Sequence, residues 1–145
     1  MDAMEISRTG LDVEWRRLEI IAQNLANAGT SRTASGEAYR PLRLVSGPSA
    51  GFASHLGSQP GGAAAGLRGG VSVYGIEPTN VAPRMVHQPG HPHADEDGFV
   101  AFPGLDHAGE MTLMVQTARI YEANLVAMNI ARQMYAKAIE LGRRG

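Results

Sequence analysis

Large side chains recur every seven residues through the last quarter of the chain, and this register constrains the fold more than any other feature. Met114, Tyr121, Met128 and Tyr135 are each seven apart, and Met111, Ala118, Leu125 and Ile139 occupy a companion track three residues earlier. Arg132 alone interrupts that second track. Alternating spacings of three and four close a narrow seam on one helix face and predict a left-handed coiled coil. No proline follows Pro103, and Gly142, Arg143 and Arg144 suit the negative pole of a helix ending near 142. About thirty residues rising roughly 1.5 Å each make a rod of about 45 Å. One such helix cannot bury its seam alone, so it needs a partner.

The first twenty-nine residues offer one. Met4, Leu11, Leu18 and Leu25 repeat every seven, with Trp15 and Ala22 on the intermediate turns of the same face. A second line, Ile6, Val13, Ile20 and Ile21, lies on another side. Two apolar faces on an otherwise charged helix imply contacts with more than one neighbour. The helix is expected to stop at Asn27-Ala28-Gly29, residues suited to a left-handed cap.

Between the helices the character changes twice. Residues 46–70 are dominated by Gly, Ala, Ser and Pro, a composition that cannot offset its ordering entropy by burial, and they read as a flexible loop. Strand signals follow at Val71, Val73 and Ile76, at Arg84-Met85-Val86-His87, and at Phe99-Val100-Ala101-Phe102, the last entered through the turn dipeptide Asp97-Gly98. The expected fold is α+β and mainly α. Long N- and C-terminal helices pair in coiled-coil fashion, and a small antiparallel β and loop insert of two or three strands lies between them. The divisions are an N-terminal helix over 1–29, a loop and small β region over 30–107 and a C-terminal helix over 108–142.

Chemistry is sparse. His87, His91 and His93 with Asp95, Glu96 and Asp97 form the one cluster resembling a metal site. Two prolines and Gly90 forbid the helix that would make the His87–His91 spacing useful, so the segment reads as a structural turn. A calcium loop would need its glycine at Val100. There is no serine elbow, phosphate loop or dinucleotide fingerprint, so no enzyme, cofactor or catalytic residue is expected. A formal net charge of −1 gives no reason to expect nucleic acid as a partner. The absence of cysteine removes thiol chemistry. No apolar run reaches eighteen residues, and the charged start Asp2, Glu5, Arg8 lacks the stretch of a cleavable signal peptide.

Asn24-Leu25-Ala26-Asn27-Ala28-Gly29-Thr30 resembles the N-terminal signature of the axial proteins of the bacterial flagellum: rod, hook and hook-associated proteins. Downstream, four further segments are similar to the proximal rod proteins of the FlgC type. They are Gly36-Glu37-Ala38-Tyr39-Arg40, Pro89-Gly90-His91-Pro92-His93-Ala94-Asp95, Gly98-Phe99-Val100 and Arg119-Ile120-Tyr121-Glu122-Ala123-Asn124. The similarity runs in order from about residue 4 to 141.

The resemblance implies a structural subunit of the basal-body rod, assembling helically with other rod proteins and copies of itself to transmit motor torque. It also implies passage through the flagellar type III export apparatus, a periplasmic position near the inner-membrane ring, and no insertion into the membrane. Assembly residues would then be Leu11, Leu18, Leu25, Met114, Tyr121, Leu125, Met128 and Tyr135, with Asn24, Asn27 and Asn124 fixing register by hydrogen bonds. Arg132 should meet an acid such as Glu14 or Glu19, or a neighbouring subunit. A soluble helical adaptor or export chaperone binding one partner helix is the alternative.

Overall fold

The computed structural model describes residues 3–49 and 69–143. The chain runs α1 (Ala3–Ala26), β1 (Leu42–Pro48), β2 (Val71–Pro78), β3 (Arg84–His87), β4 (Phe99–Phe102) and α2 (His107–Gly142). At 1.5 Å per residue the 24 residues of α1 and the 36 of α2 extend about 36 and 54 Å. Two long terminal helices therefore bracket a small strand insert, as the periodicity leads one to expect.

Among the described residues the insert holds four strands in two pairs, β1 with β2 and β3 with β4. The expected strands at 71–76, 84–87 and 99–102 are present, and β1 is an addition. Residues 46–48, read as the start of a flexible loop, instead complete β1, while 50–68 lie outside the described residues. Flanking bonds from Ser49 N to Gly70 O and from Thr79 N to Pro41 O mark β1–β2 as antiparallel. Gly47 lies under the Tyr74 ring: a Cβ there would lie 2.6 Å from it and push aside the ring, whose hydroxyl donates to Pro48 O at 2.5 Å.

The chain divides into two compact units. One comprises Met1–Arg16, Val45–Gly75 and Thr117–Gly145. In it Gly10 sits against Asn124, and the Trp15 and Tyr121 rings lie 6.1 Å apart, so α1 and α2 run antiparallel. Leu11, Val13 and Thr117 are buried there. Thr9 ties β2 to α1: its hydroxyl donates to Ile6 O and accepts from Val71 N at 3.1 Å.

The other unit comprises Arg17–Leu44 and Ile76–Gln116. Its apolar centre is Ile20, Ile21 and Val100, the last fully buried on β4 opposite Val86. The register Arg84↔Phe102, Met85↔Ala101, Val86↔Val100, His87↔Phe99 alternates faces as a strand must. Asp106 precedes α2 as an N-cap residue type, and Gly109 leaves room for its carboxylate, which a Cβ would meet at 2.6 Å.

Helix α1 ends differently from expectation. Gly29 is not in the left-handed conformation; among the described glycines only Gly36, Gly70 and Gly98 have positive φ. Asn27 closes the helix instead. Its backbone N and its Nδ2 both donate to Gln23 O, at 3.1 and 2.9 Å, and its Oδ1 accepts from Thr30 Oγ1 at 3.2 Å. The two donated bonds converge on one carbonyl of the last turn, and the Thr30 bond ties the side chain to the exit loop.

Candidate assembly site: a buried polar node and open helix faces

Asn24 is fully buried, at 0 % exposure, in the last turns of α1. Its Nδ2 donates to Leu42 O at 2.9 Å and to Glu110 Oε2 at 3.2 Å. Its Oδ1 accepts from Leu42 N at 2.8 Å and from Tyr39 OH at 3.0 Å. All four hydrogen-bonding positions of the carboxamide are used, so the amide has one orientation. The two bonds to Leu42 mimic a strand partner and fix where β1 begins.

Glu110, 2 % exposed in the first turn of α2, completes the node. Its Oε1 pairs with Arg43 Nη2, while Arg43 Nη1 donates to Leu42 O at 3.1 Å. A buried carboxylate is tolerated only when paired and hydrogen-bonded, and the N-terminus of a helix favours the negative charge further. Burial, and secondarily the Glu110 charge, raises the Tyr39 hydroxyl above the ordinary tyrosine pKa. The node joins α1, the 30s loop, β1 and α2 within one unit. Sequence reasoning identifies Asn24 but misses Tyr39, Leu42, Arg43 and Glu110. The available signal is Glu110 itself, a charged residue four before Met114 on its own heptad track.

The seam of α2 corrects the companion track. Its inward residues are Glu110, Met114, Thr117, Tyr121, Asn124, Met128 and Ala131, all buried or half-buried and spaced four and three in turn. Of the first track Met114, Tyr121 and Met128 are half-buried and Tyr135 is exposed, while the buried companion is rotated by one residue onto polar and small side chains. Of the expected companions only Ala118 is half-buried; Met111 is 54 % exposed, Leu125 38 %, and Ile139 is also exposed. Gly10 on α1 faces the rotated track: a Cβ there would lie 3.1 Å from Asn124 Nδ2, so the Asn124 side chain packs over the glycine.

The remaining candidate residues divide by exposure. Leu11 is buried, Leu18 and Leu25 are half-buried, and Tyr135 is exposed. On α1 the Val13, Ile20 and Ile21 line is buried more deeply than the leucine stripe, and Trp15 and Ala22 are exposed. Asn27 bonds its own helix end, and Asn124 is half-buried over Gly10. Arg132 is exposed, because the rotated track carries it out of the seam. The outer face of α2 is left with Met111, Val115, Val126, Ile130, Met134 at 66 % and Leu141 at 71 %.

The histidine segment is the loop between β3 and β4. Asp95 Oδ1 accepts from Asp97 N at 3.1 Å and Phe99 N at 2.7 Å, and His91 Nδ1 accepts from His93 N at 3.0 Å. Gly98, at φ +80, has a backbone that strains any side chain, and a Cβ would sit tightly at 3.1 Å from Pro89 and 3.2 Å from His87. Among the described residues no three His, Cys, Asp or Glu side chains are grouped to hold a metal ion. No described helix is long and apolar enough to cross a membrane.

A family model for the C-terminal region of flagellar basal body rod FlgEFG proteins matches residues 96–141. Full-length relatives are similar along the whole chain. The flagellar basal-body rod protein FlgC of Salmonella typhimurium strain LT2 is 31 % identical over 143 residues, covering 99 % of this chain and 98 % of its own. That of Bacillus subtilis strain 168 is 36 % identical over 147 residues, covering 97 % of each. That of Borreliella burgdorferi is 30 % identical over 144 residues, covering 96 % and 95 %. With two terminal helices, a strand insert and matches spanning both ends, the chain belongs to the FlgC family of flagellar basal-body rod proteins.

Proposed function

We propose that this chain is a structural subunit of the flagellar basal-body rod and joins its neighbours, copies of itself included, through the outer face of α2. The observation that carries this is the exposed apolar row Met111, Val115, Val126, Ile130, Met134 and Leu141 on α2, a helix packed on its other side only as far as Ala131 and exposed all round beyond it. Exposed apolar surface of this extent on one element marks an interaction surface. Exposed Trp15 and the outward Val71, Val73 and Ile76 of β2 add to it. The family is a structural one, and no catalytic role is assigned to any residue.

Subunits that meet through two different surfaces propagate as an open helix and not a closed ring. Close-packed helix interfaces resist deformation, which is what torque transmission needs. Leu18, Leu25, Leu125 and Tyr135, half-buried or exposed in the single chain, are assigned to contacts between subunits. Met114 and Met128 supply adaptable packing in the seam. The chain leaves the cytoplasm by the flagellar type III apparatus and joins the rod in the periplasm near the inner-membrane ring. Export unfolded suits a fold whose strand insert is short and whose polar node can assemble from local segments and two helix ends.

A deletion strain complemented by the full chain, or by one truncated before Met111, tests the reading. Loss of swimming, basal bodies without rods, and rescue by the full chain alone are expected. Normal rods and swimming in the deletion would overturn it and favour an adaptor.

A further inference from the structure

We propose that a basic cleft beside the β3–β4 hairpin receives the acidic loop tip of a second copy of this chain. The cleft encloses about 480 Å³ and is lined by Ser31, Arg32, Glu37, Arg40 and His93, with short apolar residues such as Ala38 and Ala101 behind them. Ser31 Oγ lies 2.8 Å from His93 Nδ1, which fixes the imidazole and leaves Nε2 as its free polar atom. Arg32 and Arg40 are exposed, and neither guanidinium bonds to a described residue. With Glu37 counted and the imidazole neutral, the lining carries a formal charge of +1. Its walls are too polar for the apolar face of a helix, and its unpaired donors call for carboxylates.

The same unit displays those carboxylates. Asp95, Glu96 and Asp97 are consecutive and exposed at the tip of the 88–98 loop. Asp95 is spent on the loop itself, accepting from Asp97 N and Phe99 N, so it holds the tip rigid and leaves Glu96 and Asp97 to reach outward. Nothing within the described chain neutralises either. A cleft lined mainly by the 31–40 loop and a tip on the β3–β4 hairpin, within one compact unit and complementary in charge, make a head-to-tail contact that repeats from copy to copy. At a net charge of −1 the attraction is local, so it selects the register of neighbouring copies more than it draws them together from a distance.

This inference rests on the rod-subunit reading, since it needs copies side by side. The test uses two full-length chains, one carrying Arg40→Cys and one carrying Glu96→Cys, co-expressed in the deletion strain. The chain has no cysteine of its own, so any thiol cross-link comes from these positions. A bis-maleimide linker is the reagent, because a disulfide needs Cα atoms within about 7 Å and an Arg–Glu pair holds them further apart. Isolated basal bodies should yield the mixed dimer at least tenfold above a control pairing Glu96→Cys with Glu77→Cys on the exposed end of β2. Basal bodies holding both chains without that excess overturn the proposal and leave the rod reading standing. Basal bodies lacking both chains overturn the two together. As a second reading, R32E/R40E and E96R/D97R should each impair swimming, and the four changes in one chain should restore it at least in part. Either pair swimming normally alone also overturns the proposal.

Discussion

Replacing Asn24 by Ala should destabilise the folded chain by about 3 kcal/mol. The substitution deletes four hydrogen bonds at a residue with no exposure: two to the Leu42 backbone, one from Tyr39 OH and one to the Glu110 carboxylate. A neutral bond contributes about 1 kcal/mol net and one to a buried charge about 2, a gross loss near 5. Water returning to the part-buried Leu42 and Tyr39 groups recovers some of that, which leaves about 3 kcal/mol, or more than a hundredfold in the folded-to-unfolded ratio. Urea unfolding of the full chain followed by circular dichroism gives the magnitude. Hydrogen exchange at the Leu42 amide gives the location, since its acceptor is Asn24 Oδ1. Asn24→Asp sharpens the test. It keeps the acceptor pair but loses both donors and sets a second carboxylate beside Glu110, so it should be at least as damaging at neutral pH and recover as the pH falls. A loss under about 1 kcal/mol in both variants, with Leu42 protection unchanged, would refute the assignment of Asn24 as the hub.

Further outcomes follow from the same geometry. The Tyr39 hydroxyl titrates higher when folded, so its contribution is complete below the unfolded value of about 10 and is lost as pH rises from there toward the folded value. Alkaline titration should therefore destabilise the wild type more steeply than Tyr39→Phe, and equal slopes would contradict the buried environment. Gly98→Ala forces a side chain into positive φ against Pro89 and His87 and should reduce stability by about 1–2 kcal/mol, measured by thermal melting. Gly10→Ala alone should shift stability by no more than about 1 kcal/mol, because helix propensity and the tight Asn124 contact oppose each other. Adding Asn124→Ala should release the contact and reveal the gain; no coupling between the two in a double-mutant cycle would show that they do not meet.

The parts of this fold legible in the sequence are those with a long period. Met114, Tyr121 and Met128 identify both α2 and one track of its seam, because large residues repeating every seven positions line up on a helix and on no other regular backbone. The companion track falls one residue away from its expected place. Hydrophobicity alone points to Met111 and Leu125, whereas Glu110, Thr117 and Asn124 are turned inward. A polar seam becomes readable only when its partners are known, and the Glu110 partners are 67 and 86 residues away. Strand β1 escapes the sequence pattern for a related reason. Leu42-Arg43-Leu44-Val45 alternates, but Ser46-Gly47-Pro48 carries loop residues that stay in the strand, with the Tyr74 ring lying over Gly47. Asn24 stands out as a polar residue beside an apolar track, yet its role depends on Tyr39 and Leu42, which carry no signature of their own.

The central claim is that the outer face of α2 joins subunits and contributes nothing to the fold of one. Ile130→Glu with Met134→Lys tests it directly, because the pair replaces exposed apolar side chains by an i,i+4 ion pair that suits an isolated helix. Urea unfolding of the variant should match the wild type within about 0.5 kcal/mol, as for other surface changes. In the deletion strain the same variant should leave cells non-swimming, with basal bodies lacking a complete rod under the electron microscope. Intact rods and normal swimming from a variant of unchanged stability would contradict the account.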